Sequence, residues 1–343
     1  MLITPSGTRG GGLARCQQHP RAAREDWNER NPDAMPNPAS PPGPPAHPPE
    51  QPHPARLKVG VVGAGRAGTV LAAALARAGH QVVAVSAVTD TSRRRAARML
   101  PGVPVRQPEE VLAAADLALL TVPDDVLPGL VTGLAATDAP VAGRMVAHAS
   151  GKHGTQVLAP VTRRGALPLA LHPVMTFTGR PDDLDRLAGV SFGVTAPDKL
   201  RPVAEALVIE MGGEPVFIDE ASRGLYHAAL ASAANHLVTL VVQASELLAA
   251  AGVPDPPRML SPLLSAALDN ALRLGDAGLT GPVARADADT VAAHIEALRE
   301  ASPEALRAYL ALARLTADRA LAAGILTAPA AQRLLDVLAG APR

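Results

Sequence analysis

Short apolar runs alternate with helical stretches along the chain from Leu57 onward. Runs that are short and almost continuously apolar are typical of parallel strands covered by helices on both faces. The predicted strands are 57–63, 81–88, 116–122, 144–149, 167–172, 190–195 and 215–218. The predicted helices between them are 67–79, 91–100, 108–115, 124–136 and 197–212. The pattern therefore predicts a doubly wound α/β domain with a parallel sheet over residues 57–218.

The strand pattern stops after Asp219, and only helical periodicity follows. The predicted helices here are 221–251, 260–274, 287–299 and 303–323, with a short one from Pro329. Ser302 followed by Pro303 is a helix start, and Gly324 is a helix end. We therefore expect an all-helical second domain over 219–340, with a substrate cleft between the two domains.

Residues 1–56 differ from the rest because they hold a dense share of the 34 prolines, above all around 36–45. Such a segment buries too little apolar area to offset its chain entropy, so we expect a solvated, disordered tail. A polyproline ligand for a partner domain is one alternative. A true start at Met35, which would leave 1–34 untranslated, is another. The start of the chain lacks the apolar core of a signal peptide.

The bulk composition argues against several classes of protein. A formal net charge of +0 and 2% aromatic residues argue against a nucleic-acid partner. The single cysteine, Cys16, lies in the tail, which fits a protein of the cytoplasm without disulfides. The stretch 225–251 is long enough to span a bilayer but carries polar residues, so we interpret it as a buried helix. Scattered histidines without metal-ligand spacing make a metal site unexpected.

A G-x-G-x-x-G sequence stands between the first predicted strand and the first predicted helix, where a dinucleotide-binding loop requires it. Gly63 would allow the tight turn, Gly65 the approach of backbone N–H groups to a pyrophosphate, and Gly68 the packing of helix on strand. Arg66 and Ala67 complete the loop at the positive end of the helix dipole. We therefore predict that the chain binds a dinucleotide.

The two ends of the dinucleotide have separate candidate residues. Val122 and Pro123 follow the third predicted strand and would line the nicotinamide. The second strand ends in Ser86 rather than in the carboxylate that holds the ribose of NAD, and Arg93 follows in the next helix. A hydroxyl and a guanidinium suit a 2′-phosphate, which favours NADP over NAD; a solvated arginine face is the alternative.

Two strand ends carry polar groups that could meet a substrate. Ser150 and the N–H group of Gly151 would bind a carboxylate or a carbonyl, although an ordinary turn explains them equally well. His172 ends a strand shortly before Thr176. It is either a cleft residue or a structural histidine bonded to the backbone.

The first helix of the second domain offers His227 and Asn235. In a regular α-helix their directions would differ by roughly 80° and their heights by about 12 Å. They could then border one cleft without touching. We expect Tyr226 to point elsewhere.

These motifs resemble the Rossmann-like oxidoreductases that carry a C-terminal DUF2520 domain. The residues that carry the resemblance are 63–68, 122–123, 148–151, 171–179, 226–229 and 235–236, within a likeness that covers about 57–340. The architecture is also similar, more distantly, to pyrroline-5-carboxylate reductases and to 6-phosphogluconate-dehydrogenase-like β-hydroxyacid dehydrogenases. The resemblance implies an NADP-binding domain and a helical domain of the 6-phosphogluconate dehydrogenase C-terminal type, through which the protein forms a homodimer.

The chain departs from the β-hydroxyacid dehydrogenases at their proton donor. Those enzymes place a lysine on the first helix of the second domain and an asparagine one turn later. This chain has His227 and Ala231 at about these places, and none of its lysines lies in the helical domain. Either His227 donates the proton while Asn235 orients the substrate, or the lysine-based mechanism does not apply.

The resemblance implies an NADPH-dependent oxidoreductase that reduces a small carboxylated carbonyl compound, with the 2-oxo acid ketopantoate as the first candidate. Ser150 and Gly151 would hold the carboxylate, and His227 would protonate the developing alkoxide. The wall of the cleft would include His172 and Thr176. An imine reductase similar to pyrroline-5-carboxylate reductase is the alternative, since an iminium already carries its proton. A non-catalytic NADP-binding sensor or partner protein is the third hypothesis.

Overall fold

The computed structural model describes residues 56–340, so the predictions for the proline-rich tail and for a start at Met35 lie outside the described residues. Seven strands form one sheet in the order β2-β1-β3-β4-β5-β6-β7. The strands are β1 (Lys58–Val62), β2 (Gln81–Ser86), β3 (Leu117–Leu120), β4 (Met145–His148), β5 (Leu167–Pro173), β6 (Ser191–Thr195) and β7 (Glu214–Phe217). Each coincides with a predicted strand, so the expected α/β fold is confirmed.

The strands from β2 to β5 are all parallel, but β6 pairs antiparallel with β5, and β7 is parallel to β6. The last two strands therefore run against the other five, which corrects the prediction of a purely parallel sheet. A parallel connection needs a crossover, usually a helix, that covers the sheet. The segment between β5 and β6 contains only a one-turn helix, Asp183–Arg186, so the chain returns in the opposite direction.

Helices cover both faces of the sheet. They are α1 (Arg66–Arg77), α2 (Asp90–Met99), α3 (Pro108–Ala114), α4 (Leu127–Ala135), α5 (Ala159–Thr162), α6 (Asp183–Arg186) and α7 (Arg201–Glu210). Leu71 of α1 and Leu207 of α7 pack with Phe192 in one buried cluster. Leu112 of α3 and Leu127 of α4 belong to the cluster on the other face. Burial on both faces explains why the strands are almost continuously apolar.

The rest of the described chain is helical, as predicted. The helices are α8 (Arg223–Ala231), α9 (Leu237–Ala250), α10 (Pro256–Leu274), α11 (Gly281–Ala284), α12 (Ala288–Ala301), α13 (Pro303–Ala322) and α14 (Ala328–Gly340). The Ser302 hydroxyl accepts the Ala305 N–H at 3.2 Å and caps α13, which confirms the predicted helix start. Val291, Leu310 and Leu334 belong to a separate buried cluster formed by α12, α13 and α14.

The prediction that 225–251 forms a buried helix is wrong. No residue of α9 is buried, and Leu260 is the one buried residue of α10. By length and composition alone, Glu220–Ala250 could cross a membrane. The apolar content of this stretch reflects a surface that the single chain leaves uncovered, rather than a core position.

Candidate active site

The glycine loop has the geometry of a phosphate cradle. Gly63 has φ +98°, a conformation that favours glycine, and a Cβ on Gly68 would overlap the Thr121 hydroxyl, so helix and strand pack closely there. A Cβ on Gly65 would meet only the Gly63 carbonyl oxygen, at 3.8 Å, which leaves open space on its outer side. These three contacts match the three roles that a dinucleotide requires of the glycines, so the loop fits the cofactor.

The start of α1 completes this cradle. Arg66 and Ala67 form the first turn of α1, which has no side-chain cap, so its N–H groups remain for an anion. Val122 lies against Gly63, since its Cγ1 is 3.0 Å from where a Cβ of Gly63 would stand. Pro123 is exposed next to it. The residues predicted for the pyrophosphate and the nicotinamide thus share the carboxyl edge of the sheet.

A cavity of about 480 Å³ lies at the end of β2 and is lined by Ser86 and Arg93, among other residues. The backbone oxygen of Ser86 accepts the N–H groups of Gly63 and Ala64, so the cavity adjoins the glycine loop. Arg93 contacts Asp90 at 3.3 Å but is more than half exposed. Arg106, a residue not predicted from the sequence, lines the same cavity. No motif marks it, because an isolated bridge between Val85 and Val105, distant in sequence, brings it there.

A cleft of about 420 Å³ brings together His172, Thr176, His227 and Asn235. His172 lies near the end of β5 and Thr176 follows that strand, whereas His227 and Asn235 belong to the helical part. Its remaining lining is Pro173, Val174, Met175, Leu230, Ala231, Ala233 and Ala234. None of these residues carries a carboxylate, an ammonium or a guanidinium group. The cleft therefore offers hydrogen-bonding groups within a largely apolar wall, as small-molecule sites do.

A π-helical turn, Ser232–His236, separates α8 from α9 and contains Asn235. The extra residue in such a turn changes the direction of every side chain that follows, so the angle predicted from regular helical spacing does not apply. Turns of this kind are frequent at functional sites. The distortion contributes to placing Asn235 in the same cleft as His227.

Gly151 lies directly against both cleft histidines. A Cβ at this position would stand 2.9 Å from Nε2 of His172 and 2.8 Å from Cδ2 of His227. Only a glycine lets the two imidazoles approach the backbone this closely. The ring centroids of the two histidines are 6.3 Å apart and nearly perpendicular.

Ser150 is buried, and its groups are largely occupied by the turn. Its N–H donates to Nδ1 of His148 at 3.2 Å, and its hydroxyl oxygen accepts the N–H of His153 at 3.1 Å. Ser150 is not among the residues that line the cleft, although the neighbouring Gly151 lies against two of them. His148 is 1% exposed, and its Nε2 contacts the Gly154 carbonyl oxygen at 2.8 Å, so its ring is held by the turn that follows β4. Burial lowers the pKa of His148 to about 4.

Tyr226 contacts the cleft, contrary to our prediction that it points elsewhere. Its hydroxyl lies 2.8 Å from Nδ1 of His172, and the two rings pack edge to face. The pairing depends on the position of α8 over β5 and β6, which local sequence does not encode. Burial above all, and then the charges of Arg223 and His227, lower the pKa of His172 to about 4, so this imidazole is neutral at neutral pH.

Glu220 joins the start of the helical part to the loop after β4. Its carboxylate accepts the N–H groups of Thr155 at 2.7 Å and of Gln156 at 3.2 Å. A Cβ on Gly154 would overlap this carboxylate, so a glycine is required there. The contact fixes α8, and with it His227, beside the turn that carries Gly151.

A tight loop connects the cleft to the glycine loop. Asp183 is fully buried, and its carboxylate accepts the N–H groups of Thr178 at 2.8 Å and Gly179 at 2.7 Å. Gly179 in turn lies against the side chains of Arg66 and Arg95. Asp183 could not be predicted from the sequence, because a carboxylate on a one-turn helix forms no recognisable motif.

Two family models match the chain. Residues 43–173 match the Rossmann-like domain, and residues 190–316 match a domain of unknown function, DUF2520. A curated relative, the glycerol-3-phosphate dehydrogenase (NAD(P)+) of Bradyrhizobium sp. (strain ORS 278), is 32% identical over 169 residues. That alignment covers 45% of this chain and 50% of the relative, so the match extends over about half the length of the curated protein.

Solved structures share the fold. A Bacteroides fragilis protein assigned as an NADP oxidoreductase superposes with a TM-score of 0.65 and 22% identity, covering 77% of this chain and 98% of that one. The reductive aminase of Aspergillus terreus, in complex with NADPH and ethyl levulinate, gives a TM-score of 0.56 and 21% identity, covering 79% and 95%. The chain therefore contains a region similar to the Rossmann-like domain, followed in the expected order by a region similar to the DUF2520 domain.

Proposed function

We propose that this protein is an NADPH-dependent oxidoreductase that reduces a C=O or C=N bond of a small carboxylated compound. One observation carries the proposal: His172 and His227 both contact Gly151. This contact lies at the same carboxyl edge of the sheet as the glycine loop. The loop that contains Gly179 follows the cleft residues after β5 and contacts Arg66 of the glycine loop. Ligands of open α/β sheets bind at this edge, so cofactor and substrate would meet there.

In this proposal the cofactor binds along the glycine loop and at the end of β2. The N–H groups at the start of α1 would bind the pyrophosphate, and Val122 would face the nicotinamide. Ser86, Arg93 and Arg106 would bind the 2′-phosphate in the cavity after β2. When bound, NADPH supplies the hydride. Similarity to an NAD(P)+-dependent dehydrogenase and to NADPH-binding folds supports this assignment.

His227 is the proton donor in this proposal. It borders the cleft, lies against Gly151 and is half-buried, so it can recover a proton from solvent. The amide of Asn235 would orient the substrate from the same wall. His172 is neutral at neutral pH and cannot supply the proton itself, but it can donate a hydrogen bond.

For the substrate we propose a 2-oxo acid, with ketopantoate the first compound to test. The hydroxyl proton of Ser150 and the N–H of Gly151 would bind its carboxylate beside the two cleft histidines, and Thr176 would form part of the wall. The apolar lining of Leu230 and Ala231 suits the branched carbon skeleton of such an acid.

An imine is the alternative substrate class, and one observation favours it. The cleft lining contains no carboxylate and no ammonium group, so His227 is its single candidate acid. An iminium substrate brings its own proton and needs no such acid. Turnover of ketopantoate compared with turnover of pyrroline-5-carboxylate distinguishes the two classes.

NADPH consumption with a panel of 2-oxo acids and cyclic imines tests the proposal. We expect turnover with at least one compound, and a loss of about 100-fold in kcat for His227→Gln at saturating NADPH. Unchanged turnover of His227→Gln would exclude its role as donor. Tight NADPH binding without oxidation by any compound would contradict the proposed activity and favour a sensor.

We also propose that the protein is a homodimer formed through the helical part. Val238 of α9 and Leu263 of α10 are each 64% exposed, and Leu272 is 79% exposed. An apolar groove of about 570 Å³ between α9, α12 and α13 continues this surface. A second copy fits it better than a membrane, because polar residues such as Gln243 and Glu246 of α9 would be costly in lipid. From the composition of the chain we further propose a cytoplasmic protein without a membrane or nucleic-acid partner.

A further inference from the structure

Arg223, the first residue of α8, is a buried cation that forms no ion pair within residues 56–340. It is 1% exposed; its Nε donates to the Thr195 hydroxyl at 2.8 Å and its Nη2 to the Gly193 carbonyl oxygen at 3.0 Å. Its Nη1 is buried and has no hydrogen-bond partner among the described residues. The nearby Glu220 carboxylate is engaged by the loop after β4. A buried charge in this state costs folding free energy, so stability alone does not explain it.

The guanidinium group of Arg223 lies over the ring of Tyr226, which contacts the cleft residue His172. Its central carbon is 5.6 Å from the centroid of the Tyr226 ring. The Tyr226 hydroxyl, packed on the α-carbon of Gly193, contacts Nδ1 of His172. The other ring nitrogen of His172 lies against Gly151 at the cleft. A continuous path therefore runs from Arg223 through Tyr226 to His172.

We propose that Arg223 and Tyr226 are positioning residues that hold His172 as a neutral imidazole with its Nε2–H directed into the cleft, where it donates a hydrogen bond to the substrate. Tyr226 donates its hydroxyl proton to Nδ1, which leaves the proton of the neutral ring on Nε2. The positive charge of Arg223 opposes a second proton on the ring. With a carbonyl substrate, His172 then polarises the C=O bond through one lone pair of the oxygen, while His227 supplies the proton to the other.

The electrostatics of His172 agree with this geometry. Its pKa is lowered to about 4 by burial and then by the charges of Arg223 and His227, with a smaller opposing effect of Asp124. Tyr226 also faces the ring, and burial raises the pKa of its hydroxyl, so it remains a protonated donor at neutral pH. A neutral imidazole acting as a hydrogen-bond donor needs no protonation change during turnover.

The role of His172 rests on the proposed function, but the state of its ring can be measured without substrate. Nitrogen NMR of the imidazole, followed over pH in the full chain, reports both its tautomer and its titration. We expect one tautomer, protonated at Nε2, and a midpoint near 4. Arg223→Met should raise the midpoint by about one unit, whereas Arg223→Lys should not. Tyr226→Phe should give a mixture of tautomers.

Arg201→Met is the control, because Arg201 stacks on the exposed Phe217 ring and should leave His172 unchanged. An unchanged midpoint in folded Arg223→Met would overturn the proposal. If that variant does not fold, an unchanged tautomer in Tyr226→Phe would overturn it as well. The NMR measurement does not involve NADPH oxidation. A negative result for the state of His172 can therefore be distinguished from a negative result for the proposed function.

Discussion

At the scale of single residues, Gly151 controls the shape of the cleft. Gly151→Ala would place a methyl group within 3 Å of both imidazoles and displace them. We expect a loss of about 100-fold in kcat with little change in NADPH affinity, because the cofactor loop is not touched. Gly224→Ala is the matched control, since a Cβ there meets nothing within 4 Å. Equal kcat for Gly151→Ala and wild type would contradict the assignment of the cleft.

Cofactor choice is also decided by single residues. Arg93→Ala removes a guanidinium from the cavity after β2, so the Kd for NADPH should rise about tenfold while the Kd for NADH stays nearly constant. Arg94→Ala is the control, because Arg94 belongs to the same helix but is not among the residues that line this cavity. Fluorescence titration of both nucleotides with wild type, Arg93→Ala and Arg94→Ala gives the six Kd values. An equal effect on NADPH and NADH would place the 2′-phosphate elsewhere.

Sequence could predict the residues whose role depends on local backbone. The glycines of the loop, Gly63 and Gly68 among them, have the conformation and contacts expected from their spacing. It could not predict the partners of Tyr226 or the burial of Arg223, because both depend on how α8 meets the sheet. Side chains from segments far apart in sequence form these contacts, and no local pattern encodes them.

At the scale of elements, the loop between β5 and α6 depends on one carboxylate. Asp183 accepts hydrogen bonds from Gly179 and Thr178. Burial tends to raise its pKa, but these hydrogen bonds outweigh burial and leave it below 3.8. Because the pKa is lower in the folded state, the charged carboxylate stabilises the fold above about pH 3.8 and loses this effect as the pH falls further.

Asp183→Asn should therefore lower the free energy of unfolding by about 2 kcal/mol at neutral pH. Urea denaturation measures the difference, and it should shrink when the pH is taken below 3.8. Asp185→Asn, in the same short helix but largely exposed, is the control. A difference that is independent of pH would show that the charge of Asp183 does not carry the effect.

Hydrophobic periodicity predicted the positions of all seven strands but not the direction of the last two. Direction depends on whether the connection crosses the sheet, and the segment after Pro173 has too little helix to do so. The π-helical turn at Ser232–His236 was equally invisible, since its residues are compatible with a regular helix. The segment after Pro173 and the π-helical turn both contribute residues to the cleft. The sequence therefore predicted the sheet and helices better than the site.

At the scale of the whole molecule, the helical part exposes an apolar surface that a second copy would cover. Val238→Glu and Leu263→Glu each place a charge on it, and light scattering should show a change from dimer to monomer. Ile209→Glu, at a position 57% exposed on α7, is the control and should remain dimeric. A monomeric wild type would exclude the homodimer, and binding of wild type to lipid vesicles would assign the surface to a membrane instead.

Isotope labelling follows the hydride that the proposed reaction transfers from NADPH to its substrate. NADPH deuterated at its hydride-donating carbon is incubated with the wild-type protein and the panel of 2-oxo acids and cyclic imines, and the products are analysed by mass spectrometry. We expect one deuterium per product molecule at the reduced carbon. The Gly151→Ala variant should form this deuterated product more slowly than wild type. Bound NADPH with no deuterium in any product would contradict the proposed reaction.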